Sequence, residues 1–323
     1  MKAIGLFSGG LDSTLAIKLM QEQGIEVIAL SFISHFFGNK DKLKKLTEDN
    51  GINLKIIDIS EEYLDIVKKP KHGYGKNMNP CIDCKIFMLK KAKDYAKKIG
   101  AKFVFTGEVI GQRPMSQRKE ILRLIEKEAG LRGKLLRPLS AKLLEITEAE
   151  KRGWINGDKL FSIQGRTREK QFELAKKYQL SDYTSPAGGC LLTYREYSNK
   201  LRDLFKNKKK IDERDILLLK IGRHFRFGKN KIIIGRNEED NKQLLKLKQK
   251  SDFIFEVKKY MGPITLLQGI KTKKAVELAA ALTVRYSDVK TDKAVVEYRK
   301  DSVKTEVTAN KLEDREIEKL RII

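Results

Sequence analysis

The sequence predicts an α/β protein, a parallel sheet layered with helices, followed by a second, smaller α+β domain. Two observations carry the first half. Apolar, strand-like runs alternate with helical patterns as far as Val109, and a glycine-rich turn follows the first run directly. A change of pattern beyond about Tyr194, to short strands with frequent turn residues, carries the second.

Lys2–Phe7 reads as a strand, Asp12–Gln23 as a helix that stops at Gly24, and Ile25–Phe32 as a buried strand. A charged helix over Asp41–Asn50 ends at Gly51, and Asn53–Ile59 is again strand-like. After a loop, Lys85–Ile99 places Ile86, Leu89, Ala92, Ala96 and Ile99 on one helical face, with Gly100 as its stop, and Lys102–Val109 is the next strand. Strands spaced by helices call for βαβ units with right-handed crossovers. Further helices are expected near Ser116–Gly130, Thr147–Gly153 and Arg168–Tyr178. Asn207–Lys210 reads as a basic linker, so the domains are expected at 1–195 and 210–323. The second holds short strands and a charged helix within "LLLKIGRHFRFGKNKIIIGRNEEDNKQLLKL", a helix over Ala275–Ser287, and strands over Lys293–Tyr298 and Ser302–Ala309.

The 323 residues are 41% hydrophobic and 34% charged, which describes a globular chain with a substantial core. No apolar run approaches the length of a membrane span, and the first strand runs straight into its turn without a cleavage site, so neither a membrane protein nor a signal peptide is read here. A cytoplasmic location is expected. The net charge of +25 repels itself unless an anionic partner offsets it, and nucleic acid is the common polyanion; a generally basic solubility surface is the alternative. Three cysteines, Cys81, Cys84 and Cys190, are too few and odd in number for a disulfide framework, but they allow a metal site, a redox pair or buried thiols.

The first turn is "LFSGGLDS", Leu6–Ser13. In an open parallel sheet, ligands lie beyond the C-terminal strand ends. Gly9 and Gly10 let backbone N–H groups close on an anion, the helix from Asp12 adds its positive end, and Ser8 and Ser13 add hydroxyls. The turn has neither the lysine of the P-loop NTPases nor GxGxxG spacing. An ordinary strand–turn–helix with Asp12 as N-cap is the plain alternative. The pattern resembles the SGGxDS signature of the PP-loop ATP pyrophosphatases, of adenine nucleotide α-hydrolase-like fold. That resemblance implies a loop that holds the departing pyrophosphate while ATP is split at its α-phosphorus.

"NPCIDCK" places Cys81 and Cys84 in a loop opening the helix from Lys85, where helix-end N–H groups favour thiolates. Cys190 follows far downstream in "SPAGGCLLT", with Gly188 and Gly189 giving access to it. Three thiolates without a fourth suit a cluster with one iron left open. The alternatives are a persulfide-forming CxxC pair, a zinc site completed by His72 or a carboxylate, and Cys190 as a core thiol. SGGxDS, then PCxxCK, then a distant single cysteine resembles the tRNA-thiolating branch of the PP-loop proteins, the 4-thiouridine and 2-thiouridine synthases. "FTGEVIGQRPMSQ", Phe105–Gln117, resembles their TGExxGQ stretch. The resemblance spans about residues 1–193.

The resemblance implies an ATP-dependent tRNA sulfurtransferase, with 4-thiouridine as the expected product and 2-thiouridine synthesis or a persulfide relay on the same fold as the alternative. Phe7, Ser8, Gly9, Gly10, Asp12 and Ser13 would hold ATP and Mg2+, with Asp12 near the metal or capping the helix. Gly107, Glu108 and Gln112 would face the nucleotide, and Ser31 and Phe32 would border the adenine. Cys81, Cys84 and Cys190 would carry a 4Fe-4S cluster. The RNA-binding domains and rhodanese extension of larger 4-thiouridine synthases find no counterpart in these 323 residues, so free sulfide or a carrier protein is the expected sulfur donor. The tail, Arg223–Leu247, resembles the small RNA-binding domain of the NFACT proteins. Its Arg223, Arg226, Lys229, Lys231 and Arg236 alternate with Phe225 and Phe227, offering phosphate contacts and stacking surfaces; a solvated hairpin with its phenylalanines in the core is the alternative. His35, His72 and His224 receive no role, and Arg113, Arg118 and Arg132 fit RNA steering and solvated helix faces equally. Rival readings are a PP-loop synthetase for a small molecule and a non-catalytic RNA-binding protein. The sequence admits a homodimer without specifying one.

Overall fold

The computed structural model describes residues 1–180, 183 and 189–323. They divide at Thr193/Tyr194 into two compact units. The first contains β1 (Lys2–Leu6), α1 (Leu11–Glu22), β2 (Glu26–Ile33), α2 (Lys40–Asp49), β3 (Asn53–Asp58), α3 (Ser60–Lys68), α4 (Cys81–Ile99), β4 (Phe103–Thr106), α5 (Lys119–Ala129), β5 (Leu135–Leu136), α6 (Glu148–Lys151) and α7 (Glu169–Lys177). Its strands form one parallel sheet in the order β3-β2-β1-β4-β5. The sequence order runs outward from β1 to β3 and then returns to β4 on the other side. The switch point therefore lies between β1 and β4, where the loops after both strands border a shared crevice. Ala3, Leu15, Ile17, Ala29 and Phe105 are among the buried side chains between sheet and helices.

Two elements depart from the sequence reading. The loop expected after β3 holds α3, a helix too short to show a clear period, whose buried Tyr63 and Val67 stand four residues apart. Helix α4 begins at Cys81 rather than Lys85, so the cysteine pair forms its first turn instead of a preceding loop.

The second unit contains α8 (Arg195–Asn207), α9 (Glu213–Leu218), β6 (Arg223–Phe227), β7 (Asn230–Ile234), α10 (Glu238–Leu247), β8 (Phe253–Val257), β9 (Thr265–Gln268), α11 (Lys273–Arg285), β10 (Lys293–Lys300), β11 (Val303–Asn310) and α12 (Asp314–Leu320). Its strands pair antiparallel in the order β11-β10-β8-β9-β7-β6, with an α+β architecture as expected. Alternation along the strands sends Phe225, Ile232 and Phe255 toward α11. Ile233, Ile254 and Leu266 pack with Leu218 and Leu244 of α9 and α10. The basic run expected as a linker begins at the last residue of α8, and Lys208 then pairs with the buried Asp215 at 2.5 Å. No helix among the described residues is long and apolar enough to cross a membrane.

Candidate functional site

The turn after β1 is shaped by one residue above all. Gly9 sits at φ +74°, a left-handed conformation that side chains resist. The Phe7 amide remains in the sheet, donating to Leu30 O at 2.9 Å, while the buried Ser31 hydroxyl donates to Phe7 O at 2.7 Å. Ser31 therefore braces the strand end, and its hydroxyl does not face the crevice as expected. The Ser13 hydroxyl donates to Gly10 O at 2.8 Å and accepts from the Ser8 amide at 3.3 Å, tying the turn to the helix start.

The helix cap corrects the sequence reading. Gly10, not Asp12, is the N-cap, and no side chain caps the helix. Among the described residues, no side-chain oxygen caps the first-turn amides of α1, which keep their positive end. Asp12 instead turns sideways to accept from Gln112 Nε2 at 2.6 Å, and from Gln171 Nε2 and Arg168 Nη2 at 3.4 Å each. Gln171 also donates to Gln112 Oε1 at 3.0 Å. The bond to Asp12 sets Gln112 beside the turn. Arg168 and Gln171 are site neighbours that the sequence gives no motif for; they arrive because Gln164 bridges to Ile110 in parallel and Gly165 N–H donates to Ile110 O.

Gly107 approaches so closely that a Cβ there would meet the backbone of Asp12 and Ser13. Glu108, expected to face the nucleotide, is drawn inward instead. It pairs with Lys85, accepts from Arg137 Nε at 3.0 Å, and lies 3.1 Å from the Thr106 hydroxyl. Arg137 is itself fully buried and also pairs with Glu126.

The cysteines converge through the backbone. Cys190 bridges Phe37, Leu191 N–H donates to Phe36 O at 2.8 Å, and Met78 N–H donates to Leu192 O at 3.2 Å. Asn77 Nδ2 adds a bond to Thr193 O at 2.7 Å. The distant cysteine is thereby sewn beside the segment that opens α4, three residues before Cys81. Gly189 is among the described residues; Gly188, the other glycine expected to give access, lies outside them. All three thiols are free and half-buried. Burial pushes the Cys84 and Cys190 thiols up to about 12 each. The neighbouring thiols raise both further, while the Tyr63 hydroxyl and Lys85 favour the Cys84 thiolate and the Leu192 amide favours that of Cys190. Burial also raises Cys81, against the pull of Lys85 and Arg113. Three buried thiols, of which Cys84 and Cys190 are hindered further by neighbouring sulfur, form a site in need of positive charge. Among the described residues, no set of three or more His, Cys, Asp or Glu side chains is arranged around a single ion. His72 lies against Glu128 at 3.1 Å.

Residues 1–151 match the family model described as "Thiamine biosynthesis protein (ThiI)", and residues 222–321 match the "NFACT protein RNA binding domain". The first unit thus contains a domain similar to the ThiI family. That domain is similar to the "Probable tRNA sulfurtransferase" of Thermococcus kodakarensis, 30% identical over 145 residues, 43% of this chain and 36% of that protein. It is also similar to the "tRNA-specific 2-thiouridylase MnmA" of Campylobacter concisus, 34% identical over 119 residues, 34% of this chain and 35% of that protein. The chain thus spans about a third of the length of these curated relatives. A solved 4-thiouridine synthetase–RNA complex with bound ATP aligns at 22% identity over 55% of this chain and 51% of that chain, with a TM-score of 0.36.

In the second unit, the residues expected on RNA are mostly engaged elsewhere. Arg226 pairs with Asp203, with Nε at 2.9 Å from its carboxylate, and Arg236 pairs with Asp240 at 2.6 Å. Arg223 lies over the Tyr286 ring at 4.7 Å. Phe225 is wholly buried and offers no stacking surface, while Phe227 packs partly on the core. Lys231 corrects the reading most clearly: it is 7% exposed, and burial pulls its ammonium down to about 8. Because that value lies below the ordinary 10.5, the folded state is penalised while the lysine is charged, and stability recovers as pH rises from about 8 toward 10.5. Lys231→Met is therefore expected to stabilise the chain at neutral pH by about 1 kcal/mol. Thermal melts at pH 7 check it.

Proposed function

We propose that the protein is an ATP-dependent tRNA sulfurtransferase that converts a uridine to 4-thiouridine. The observation that carries the reading is the pairing, within one unit, of an open helix start at the β1/β4 switch point with three converging thiols. Lys85 joins the two: it stands beside Cys84 in sequence and binds Glu108, one residue past the glycine that packs on α1.

The Gly9 turn and the first-turn amides of α1 hold the β- and γ-phosphates. A uridine carbonyl oxygen attacks the α-phosphorus, the bond to the bridging oxygen breaks, and pyrophosphate leaves on the helix end. Adenylation matters because it turns a carbonyl oxygen into AMP, a competent leaving group. Incoming sulfide, free or from a carrier protein, then forms the C–S bond as the C–O bond to AMP breaks. Gln112, Gln171 and Arg168 hold Asp12 and with it the helix start. Those donors reach both Asp12 oxygens and fix the carboxylate beside the helix start, and Mg2+ would travel with the phosphates. Cys81, Cys84 and Cys190 suit a 4Fe-4S cluster, whose positive irons would answer their shared repulsion. Such a group would supply an iron without a protein ligand at which sulfide is presented.

The test is anaerobic incubation of the protein with a tRNA transcript, Mg-ATP and sulfide, followed by nucleoside mass spectrometry. AMP, pyrophosphate and 4-thiouridine in equal amounts are expected. Appearance of 2-thiouridine would move the reaction to the other base oxygen, and tRNA binding without nucleotide cleavage would overturn the enzymatic reading. Iron and inorganic sulfide in the cluster's ratio, lost in Cys190→Ala, are expected after anaerobic purification; stoichiometric zinc would overturn the cluster.

A further inference from the structure

We propose that the second unit binds RNA phosphates at one end of its antiparallel sheet, on Lys229, Lys248, Lys250, Lys271, Lys274 and Lys300. This rests on reading residues 222–321 as an RNA-binding domain, and it moves the contact away from most of the hairpin residues that the sequence singles out.

Strand direction places these lysines together. Phe227 pairs with Asn230, Lys231 with Gln268, Phe253 with Leu267, and Arg299 with Ile254. The β6–β7 turn, the end of β9, the start of β8 and the β10–β11 turn therefore share one edge of the sheet. Lys229 stands on the first of these, Lys271 and Lys274 follow the second, Lys248 and Lys250 precede the third, and Lys300 enters the fourth. With neighbouring strands about 4.8 Å apart, the row extends roughly 20 Å from β6 to β10, enough to follow several consecutive phosphates.

All six lysines are exposed, and none forms an ion pair among the described residues. That sets them apart from Arg226, Arg236 and Lys208, which are consumed by Asp203, Asp240 and Asp215. Aromatic rings fix several of them in place. The Lys271 ammonium lies 5.5 Å from the Phe253 ring and 5.1 Å from that of Tyr298, Lys300 lies 5.4 Å from Phe253, and Lys274 lies 5.8 Å from Phe227. Phe253 and Tyr298 are buried, so they serve as platforms for cations and not for bases. Two ammonium groups gathered over one ring repel each other, and an anion between them removes that cost.

The neighbouring charges agree. Lys273 and Lys274 occupy the first turn of α11, which holds no acidic residue, so the helix dipole adds to the positive field there. Beside the row, a cleft is lined by Lys248, Lys250 and Arg299 with Asp252 and Asp301. Asp252 is already paired with Arg214, and Arg299 with Glu256, which leaves Asp301 as the carboxylate facing the row.

The experiment compares two variants of the full chain that change charge equally. One carries Lys248, Lys250, Lys271 and Lys300 as glutamine; the other carries Lys246, Lys259, Lys290 and Lys293 as glutamine. Binding to a tRNA transcript is titrated from about 50 to 200 mM salt. The first variant should lose at least about tenfold in affinity and flatten the log–log salt slope by about 3, the second by less than one unit. Equal losses in both, or none in the first, would overturn the row as the contact while leaving RNA binding intact. An unsubstituted chain that binds no tRNA would overturn the RNA-binding reading and the row with it. Lysine acylation footprinting of the unsubstituted protein gives an independent readout: protection of Lys271 and Lys300 by RNA is expected, and undiminished labelling of both while RNA is bound would refute the proposal.

Discussion

Gly107→Ala is expected to cost the first unit about 3 kcal/mol and to weaken ATP binding at least about tenfold in whatever remains folded. Gly107 does not need a left-handed backbone; it needs space. An added Cβ would collide with the carbonyl group of Asp12 and the amide nitrogen of Ser13. These are backbone atoms in the first turn of α1, so no side chain can swing aside. Either β4 withdraws from β1, with which it pairs from Ala3↔Phe103 to Leu6↔Thr106, or α1 shifts along its axis. Both movements disturb the amides that face the crevice. Gly100→Ala and Gly133→Ala make the contrast. Both positions hold positive φ but have no atoms within reach of a Cβ, so each should cost only the left-handed penalty of about 1 kcal/mol and leave ATP binding unchanged. Melting curves and nucleotide titrations of the three variants settle the comparison. A G107A protein that matched wild type in both would show that β4 and α1 are not in contact at the switch point.

How far such a contact is legible in the sequence depends on what produces it. The strand–helix alternation of the first unit is written in apolar periodicity, and β1 to β4 lie within a residue or three of where that pattern puts them. The Gly9 turn is legible because only a few residue types tolerate its backbone. The partners of Asp12 are different in kind. Arg168 and Gln171 lie far downstream, at the start of a short, polar helix, and the parallel bridge between Ile110 and Gln164 makes them neighbours. The same holds for the second unit's charges. Alternation of Arg223, Phe225 and Phe227 announces a β-hairpin, but the positions of Asp203 and Asp240 decide which cations are spent, and these lie on helices outside it. Cys81 is misplaced in a loop for a local reason. Pro80 permits a helix to start directly after it, and the three residues that follow carry no period long enough to reveal that it does.

The second large effect falls on Glu108. Glu108→Gln is expected to destabilise the first unit by on the order of 3 kcal/mol at pH 7, because two cations then lose one shared carboxylate in a buried setting. Arg137 keeps Glu126, but among the described residues its Nη2 has no hydrogen-bond partner and Lys85 has no other ion pair. The pH dependence identifies the cause. Burial pushes the Glu108 carboxyl up, yet Lys85 and Arg137 outweigh it and hold the group at about 2, below its ordinary 4.5. A depressed carboxyl stabilises the fold above the unfolded value and loses that contribution as pH falls through the folded one. The wild type should therefore lose stability progressively between about pH 4.5 and pH 2, and E108Q, with nothing to protonate there, should lose less over the same interval. Chemical denaturation at pH 7 and again near pH 3 reads the difference. The two proteins should draw together on acidification; a gap that stays constant would mean that packing, and not the ion pairs, accounts for the loss. Because Lys85 follows Cys84 directly, the same variant should also loosen the first turn of α4. In E108Q, Cys81 and Cys84 should accordingly react faster with a thiol reagent at a fixed pH, even where the protein remains folded.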